Sequence, residues 1–176
     1  MLMRTVLMLL AIGVSALARG AAPPVLQGEQ ITESAVVDAL AGPKPVTTRG
    51  IGRDSGGAAR KPVAASLLIT FETNAAALTG QARRELQAVA HALNTDTLSA
   101  FKFVIEGHAD PRGAPQANLR LSQARAQAVR EFLIGAGVSE SRLNAVGKGD
   151  TEPLNTDNPA APENRRVTFV NLFNAQ

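Results

Sequence analysis

The chain has 176 residues, a formal net charge of +3, and no cysteine, tyrosine or tryptophan. Its length allows one domain with a true core plus additional sequence. The missing cysteine excludes disulfides, thiolate catalysis and cysteine-ligated metal clusters, and with phenylalanine standing alone among Phe, Trp and Tyr the composition argues against base-stacking platforms and sugar-stacking lectins.

Residues 1–18 have the layout of a secretory signal peptide. Arg4 supplies the positive start, Val6 to Val14 is apolar, and Ala16-Leu17-Ala18 is an A-x-A cleavage pattern. The apolar run falls short of the about 20 residues that a membrane span requires. Cleavage and release into the periplasm are expected; the alternative is retention as an N-terminal anchor. Residues 19–64 read as a flexible N-terminal segment. Within it, Ile31, Ala35, Val36, Ala39 and Leu40 make a short helical stripe over 31–40, with Thr32 or Ser34 near its start. The stretch from Gly42 to Pro62 is rich in Gly and Pro and carries Lys44, Arg49, Arg53, Arg60 and Lys61, as a basic linker would. Those charges either solvate the linker or attract an anionic polymer at long range. The helix can dock on the domain or on an envelope protein partner.

The folded domain is expected over 65–176. Ser66 to Phe71 is a buried-type strand run, followed by Glu72-Thr73-Asn74. Thr79 caps a helix to Leu93, whose Ala82, Leu86, Val89, Ala90 and Leu93 share one face. Phe101 to Glu106 alternates as a second strand. Gly107 to Gly113 turns the chain, and Pro115 suits the first turn of a second long helix. On that helix Leu121, Ala124, Ala128, Val129, Phe132, Leu133 and Ala136 form an apolar stripe, and Arg125 falls inside it. Asn118 lies two turns earlier on the same side. A guanidinium aimed at a core is costly without a partner. The partner is Asp110, a backbone carbonyl or a ligand anion. A plain Asp110–Arg125 salt bridge closing the loop is the simplest arrangement. Leu143 to Val146 and Val167 to Phe173 read as further strands.

Other chemistry is poorly supported. Gly147-Lys148-Gly149-Asp150 lacks the G-x-x-x-x-G-K-[ST] phosphate cradle, and Ser122 has no G-x-S-x-G elbow. His108 and Asp110 are too few ligands for a metal, so His108 is expected to order its loop by hydrogen bonding. No enzyme, cofactor, metal or nucleic-acid function is expected.

Gly107 to Asp110, Gly113, Asn118, Leu121-Ser122, Arg125-Ala126, Gly137-Val138, Arg142, Gly147, Gly149, Pro153 and Asn164 to Val167 together resemble the OmpA-like peptidoglycan-binding domain. HADPRG is closest to the peptidoglycan-associated lipoprotein branch, and LSQARA to the OmpA branch. The resemblance implies an α/β fold, a β-α-β-α-β sandwich with a small mixed sheet packed on two long helices and a final strand. It implies noncovalent anchoring to peptidoglycan, with Asp110 and Arg125 holding the free ammonium and carboxylate of a stem residue, usually meso-diaminopimelate. It adds Asn118, Asn74, Thr73, Arg165 and Arg166 as pocket candidates. The chain departs from the family at Glu72, where Asp is usual, at Ala117, where Tyr is frequent, and at Ala161-Pro162-Glu163, where Gly-Arg is frequent. It also has no cysteine after the apolar run, so the lipid attachment of the lipoprotein branch has no counterpart there.

Overall fold

A computed structural model describes residues 23–42, 62–71 and 75–173. The expected signal peptide, nearly all of the basic linker, and Thr73 and Asn74 lie outside the described residues. Among the described residues no helix is long and apolar enough to cross a membrane.

Alternating apolar runs build a five-stranded sheet in the order β1-β2-β5-β3-β4. The strands are β1 (Val25–Gln27), β2 (Val63–Leu68), β3 (Phe103–His108), β4 (Leu143–Gly149) and β5 (Val167–Asn171). The β1–β2 and β3–β4 pairs are parallel, and β5 runs antiparallel between β2 and β3. The sheet is mixed, as expected. Ala65, Leu67, Phe103, Ile105, Val167 and Phe169 are buried on one face. The helices α2 (Gly80–Leu93) and α3 (Pro115–Gly135) bury residues in the same core.

Strand boundaries follow the availability of partners. Residues beyond Leu68 leave the ladder because β1 ends at Gln27 and the β5 register ends at Val167; Phe71 makes only an isolated bridge to Leu78. In β3, Phe103 already pairs with the last residue of β5, so Phe101 lies outside the strand, while Gly107 and His108 extend it along β4.

The N-terminal segment departs from expectation. Val25–Gln27 adds a parallel edge strand, and α1 (Glu33–Ala41), capped by the Thr32 hydroxyl accepting from Ala35 N at 3.2 Å, packs against α2 and β2. Val36 and Leu40 are fully buried, and Asn171 Nδ2 donates to Leu40 O at 2.9 Å. Each such side chain contributes about 1.5–3 kcal/mol by leaving water. Residues 23–42 therefore belong to the core. A three-residue strand is too short to show an alternation, which hides β1 from a sequence reading.

Helix α2 starts as expected at Thr79, whose hydroxyl accepts from Ala82 N and donates to Thr70 O, each at 3.1 Å. Helix α3 buries Asn118, Ser122, Ala126, Val129 and Leu133, whereas Ala124 is exposed. The buried stripe is thus rotated from the expected one and includes two polar residues. The reason is close contact with the sheet. A Cβ on Gly107 would lie 2.2 Å from Ser122 O, and one on Gly147 would lie 2.6 Å from Gln123 N. Ser122 Oγ accepts from Gly149 N at 2.9 Å, and Gln123 Oε1 accepts from Gly147 N at 2.6 Å. Small residues and side-chain-to-backbone bonds set α3 directly on β3 and β4.

Candidate functional site

The end of β3 and the start of α3 bring Asp110, Asn118 and Arg125 to one cleft of about 400 Å³, which Arg112 and Arg165 also line. Ala109 N donates to Gly149 O at 2.8 Å, so the chain stays attached to the sheet up to the residue before Asp110.

Asp110 is 6% exposed. One carboxylate oxygen accepts from Arg112 N and Nε, both at 3.1 Å. The other accepts from Arg112 Nη2 at 2.6 Å and Arg165 Nη1 at 2.9 Å. The hydrogen bonds from the Arg112 side chain, with Arg165 assisting, hold the carboxyl far below the usual carboxylate range against the opposing effect of burial.

Arg125 forms no ion pair among the described residues. Its Nε donates to Ala75 O at 3.1 Å, and its guanidinium carbon lies 4.9 Å from the centre of the Phe71 ring. Of the partners open to it from the sequence, a backbone carbonyl is the one adopted. Burial lowers its pKa, as does the neighbouring charge of Arg165, while Asp110 opposes the shift. Phe71 and Ala75 flank Thr73 and Asn74 in the chain, and those two residues lie outside the described ones.

Asn118 lines the cleft, but its Nδ2 donates to Asp110 O and Asp150 Oδ2, both at 3.1 Å. Its amide nitrogen fixes the loop. Arg165 and Arg166 part company, Arg165 closing the 3-10 turn over Pro162–Asn164 and Arg166 leading into β5. Arg165 reaches Asp110. Arg166 does not line the cleft; it is buried elsewhere and donates through Nη2 to Glu152 O at 3.2 Å.

Arg166 belongs to a second polar group, with Glu106, His108, Lys148 and Glu152. Ligand atoms of Glu106, His108 and Glu152 lie within 4.8 Å of one another. Lys148 Nζ sits 3.3 Å from Glu106 and 3.0 Å from Glu152, so the carboxylates already have cationic partners. His108 is 2% exposed, and neither ring nitrogen has a hydrogen-bond partner among the described residues. It therefore does not order the loop through its side chain, contrary to expectation. Burial, reinforced by Arg166, lowers its pKa to about 4.

Three structural roles were not apparent from the motif. Arg112 had no assigned partner in the sequence, although it lies inside the HADPRG segment. Arg142 donates through Nη2 to Leu93 O and Leu98 O, both at 2.8 Å, and through Nε to Phe101 O at 2.9 Å, tying α2 to the sheet. Asn164 accepts through Oδ1 from Leu154 N and Asn155 N, and donates through Nδ2 to Asn155, Asn158 and Pro159 carbonyls, at 2.7–3.2 Å.

Comparisons place this geometry among known proteins. The peptidoglycan-associated lipoprotein of Haemophilus influenzae is 40% identical over 83 residues, 46% of this chain and 54% of that protein. The chain spans about half the length of the curated relatives it matches. The crystal structure of the peptidoglycan-associated lipoprotein from Burkholderia pseudomallei superposes with a TM-score of 0.51 at 31% identity, covering 60% of this chain and 88% of that one. The cell wall anchor of the T6SS from Pseudomonas aeruginosa gives 0.53 at 27% identity, covering 62% and 80%. Residues 70–166, which run from the end of β2 to the threshold of β5 and hold the whole cleft, match the OmpA family; the chain belongs to that family.

Proposed function

We propose that this chain binds peptidoglycan noncovalently and anchors itself to the cell wall, holding the diaminopimelate head group of a stem peptide in the Asp110–Arg125 cleft. One observation carries the reading. A buried carboxylate and a half-buried guanidinium face the same space without being paired to each other. A carbon bearing both an ammonium and a carboxylate is complementary to that arrangement. Arg125, with Arg165 beside it, takes the carboxylate, and Asp110 accepts from the ammonium. Each charge-assisted bond adds about 1.5–3 kcal/mol, and many molecules on one polymer gain avidity.

The relatives' names support the polymer as the ligand class. The periplasmic location, export through a cleaved signal at 1–18 and association with the outer membrane are part of the same proposal. The proposed anchoring relies on the cleft. The alternative, a protein-interaction module using the 31–40 helix, loses its motive because Val36 and Leu40 are already buried within this chain.

The test is retention on insoluble cell wall, with and without free diaminopimelate as competitor. Arg125→Ala and Asp110→Ala should each abolish retention while leaving the circular dichroism spectrum nearly unchanged. Undiminished retention of both variants would defeat the proposal.

A further inference from the structure

The polar group around His108 stands apart from the cleft. Ile105 belongs to the core and a Cβ on Gly107 would meet α3, so the alternation along β3 sends Glu106 and His108 to the other face of the sheet. The β3–β4 register shifts beside them: Gly107 pairs with Gly147 and His108 with Gly149, which leaves Lys148 without a partner in the ladder. The Lys148 ammonium lies between two carboxylates, 3.3 Å from Glu106 Oε1 and 3.0 Å from Glu152 Oε1. On the far side of Glu106, its Oε2 is 4.0 Å from His108 Nε2. The imidazole is out of water, and both of its ring nitrogens lack a hydrogen-bond partner among the described residues, an arrangement that costs free energy until something binds there.

We propose that Glu106, His108 and Glu152 form a binding site for a divalent transition metal ion of the zinc class, which takes the place of the Lys148 ammonium between the carboxylates. The three donors already lie within 4.8 Å of one another, and a tetrahedral zinc shell brings its donors to about 3.3 Å apart. Most of that closure falls to Glu152, whose side chain is 53% accessible in the turn after β4. Lys148 is 28% accessible and can swing its ammonium out to water. A dication then matches the two carboxylates, and a ring nitrogen of His108 gains the partner it lacks. Arg166 remains nearby as a like charge and limits the affinity to the micromolar range. One imidazole with two carboxylates suits zinc, whereas magnesium and calcium take shells of oxygen. The fourth position goes to water. The sequence hides this site because Glu152 joins Glu106 and His108 only through the pairing of β3 with β4. The bound metal ties β3 to the turn that follows β4, independently of what the cleft holds.

Titration of the chelator-stripped full chain with zinc, in competition with a chromophoric chelator, tests this together with thermal melts with and without zinc. The wild type should take up a single equivalent at micromolar affinity and melt at a higher temperature with the metal. His108→Gln and Glu152→Ala should each weaken binding at least about tenfold and remove the rise in melting temperature; Glu152 is exposed, so its variant stays informative if the buried histidine proves necessary for folding. Lys148→Ala should tighten binding about three- to tenfold because the competing ammonium is gone, a gain that a purely structural lysine would not produce. His91→Gln, which removes the other histidine of the chain, should change nothing, and millimolar magnesium should not displace the zinc. Absence of a bound equivalent, binding that survives in both His108→Gln and Glu152→Ala, or unchanged or weaker binding in Lys148→Ala would overturn the site.

Discussion

Asp110 and Arg125 line one cleft, yet no ion pair joins them: the carboxylate is held by Arg112 and Arg165, and the guanidinium by Ala75 O and the Phe71 ring. The guanidinium keeps donors available for a guest anion. Arg125→Lys should therefore separate charge from geometry. Lysine preserves the positive charge but offers neither the forked contact nor the planar stacking on Phe71. Wall retention should fall at least about tenfold with the melting temperature little changed. Retention at the wild-type level would mean that charge alone suffices.

Arg112 occupies Asp110 from an exposed side chain, 67% accessible, in the place where a ligand ammonium would bind. On the proposed reading it competes with the guest. Arg112→Ala should raise the affinity for free diaminopimelate by about three- to tenfold, because the paired state no longer has to open first. Calorimetric titration of the variant gives the answer; weaker binding would make Arg112 a contributor to the site.

The His108 imidazole makes stability depend on pH. Its folded pKa of about 4 lies below the ordinary 6.5. Between those values the unfolded chain binds the proton and the folded chain does not, so stability is fully present above pH about 6.5 and is lost as pH falls toward 4. The full loss amounts to roughly 3 kcal/mol. His108→Gln should flatten the melting temperature across that window relative to wild type. An identical slope in the variant would place the acid sensitivity elsewhere.

Gly107 touches the backbone of α3, with no room for a Cβ beside Ser122 O. Gly107→Ala must push the helix off the sheet and should cost about 3 kcal/mol or more, as overpacking of a well-filled interior does. Chemical denaturation measures it. A variant of equal stability would show that α3 is free to shift.

Much of this was legible beforehand because the relevant signals are local. Thr79 caps α2, Pro115 opens α3, and Phe103 and Ile105 alternate into the core. The candidate cleft was legible through Asp110, Arg125 and Asn118, which lie on either side of one turn. What escaped depends on contacts distant in sequence. The buried face of α3 is set by glycines on β3 and β4, and no helical wheel contains that information. Arg165 and Arg166 differ in where the short turn over Pro162–Asn164 releases the chain into β5, which the motif does not state. The β1 strand acquires meaning only beside β2.

The glycine contacts beneath α3 have a consequence for selectivity. With backbone lying against backbone at Gly107 and Gly147, and side chains clasping across at Ser122 and Gln123, the helix is seated directly on the sheet. The span between the carboxylate and the guanidinium is then gauged by the main chain, as in a caliper whose jaws are locked. On the proposed wall-binding reading, such a gauge would admit amino acids by the dimensions of their charged end and tolerate differences in the carbon chain behind it. A diamino acid one methylene shorter or longer should enter nearly as well, whereas amidation of the terminal carboxyl should exclude it.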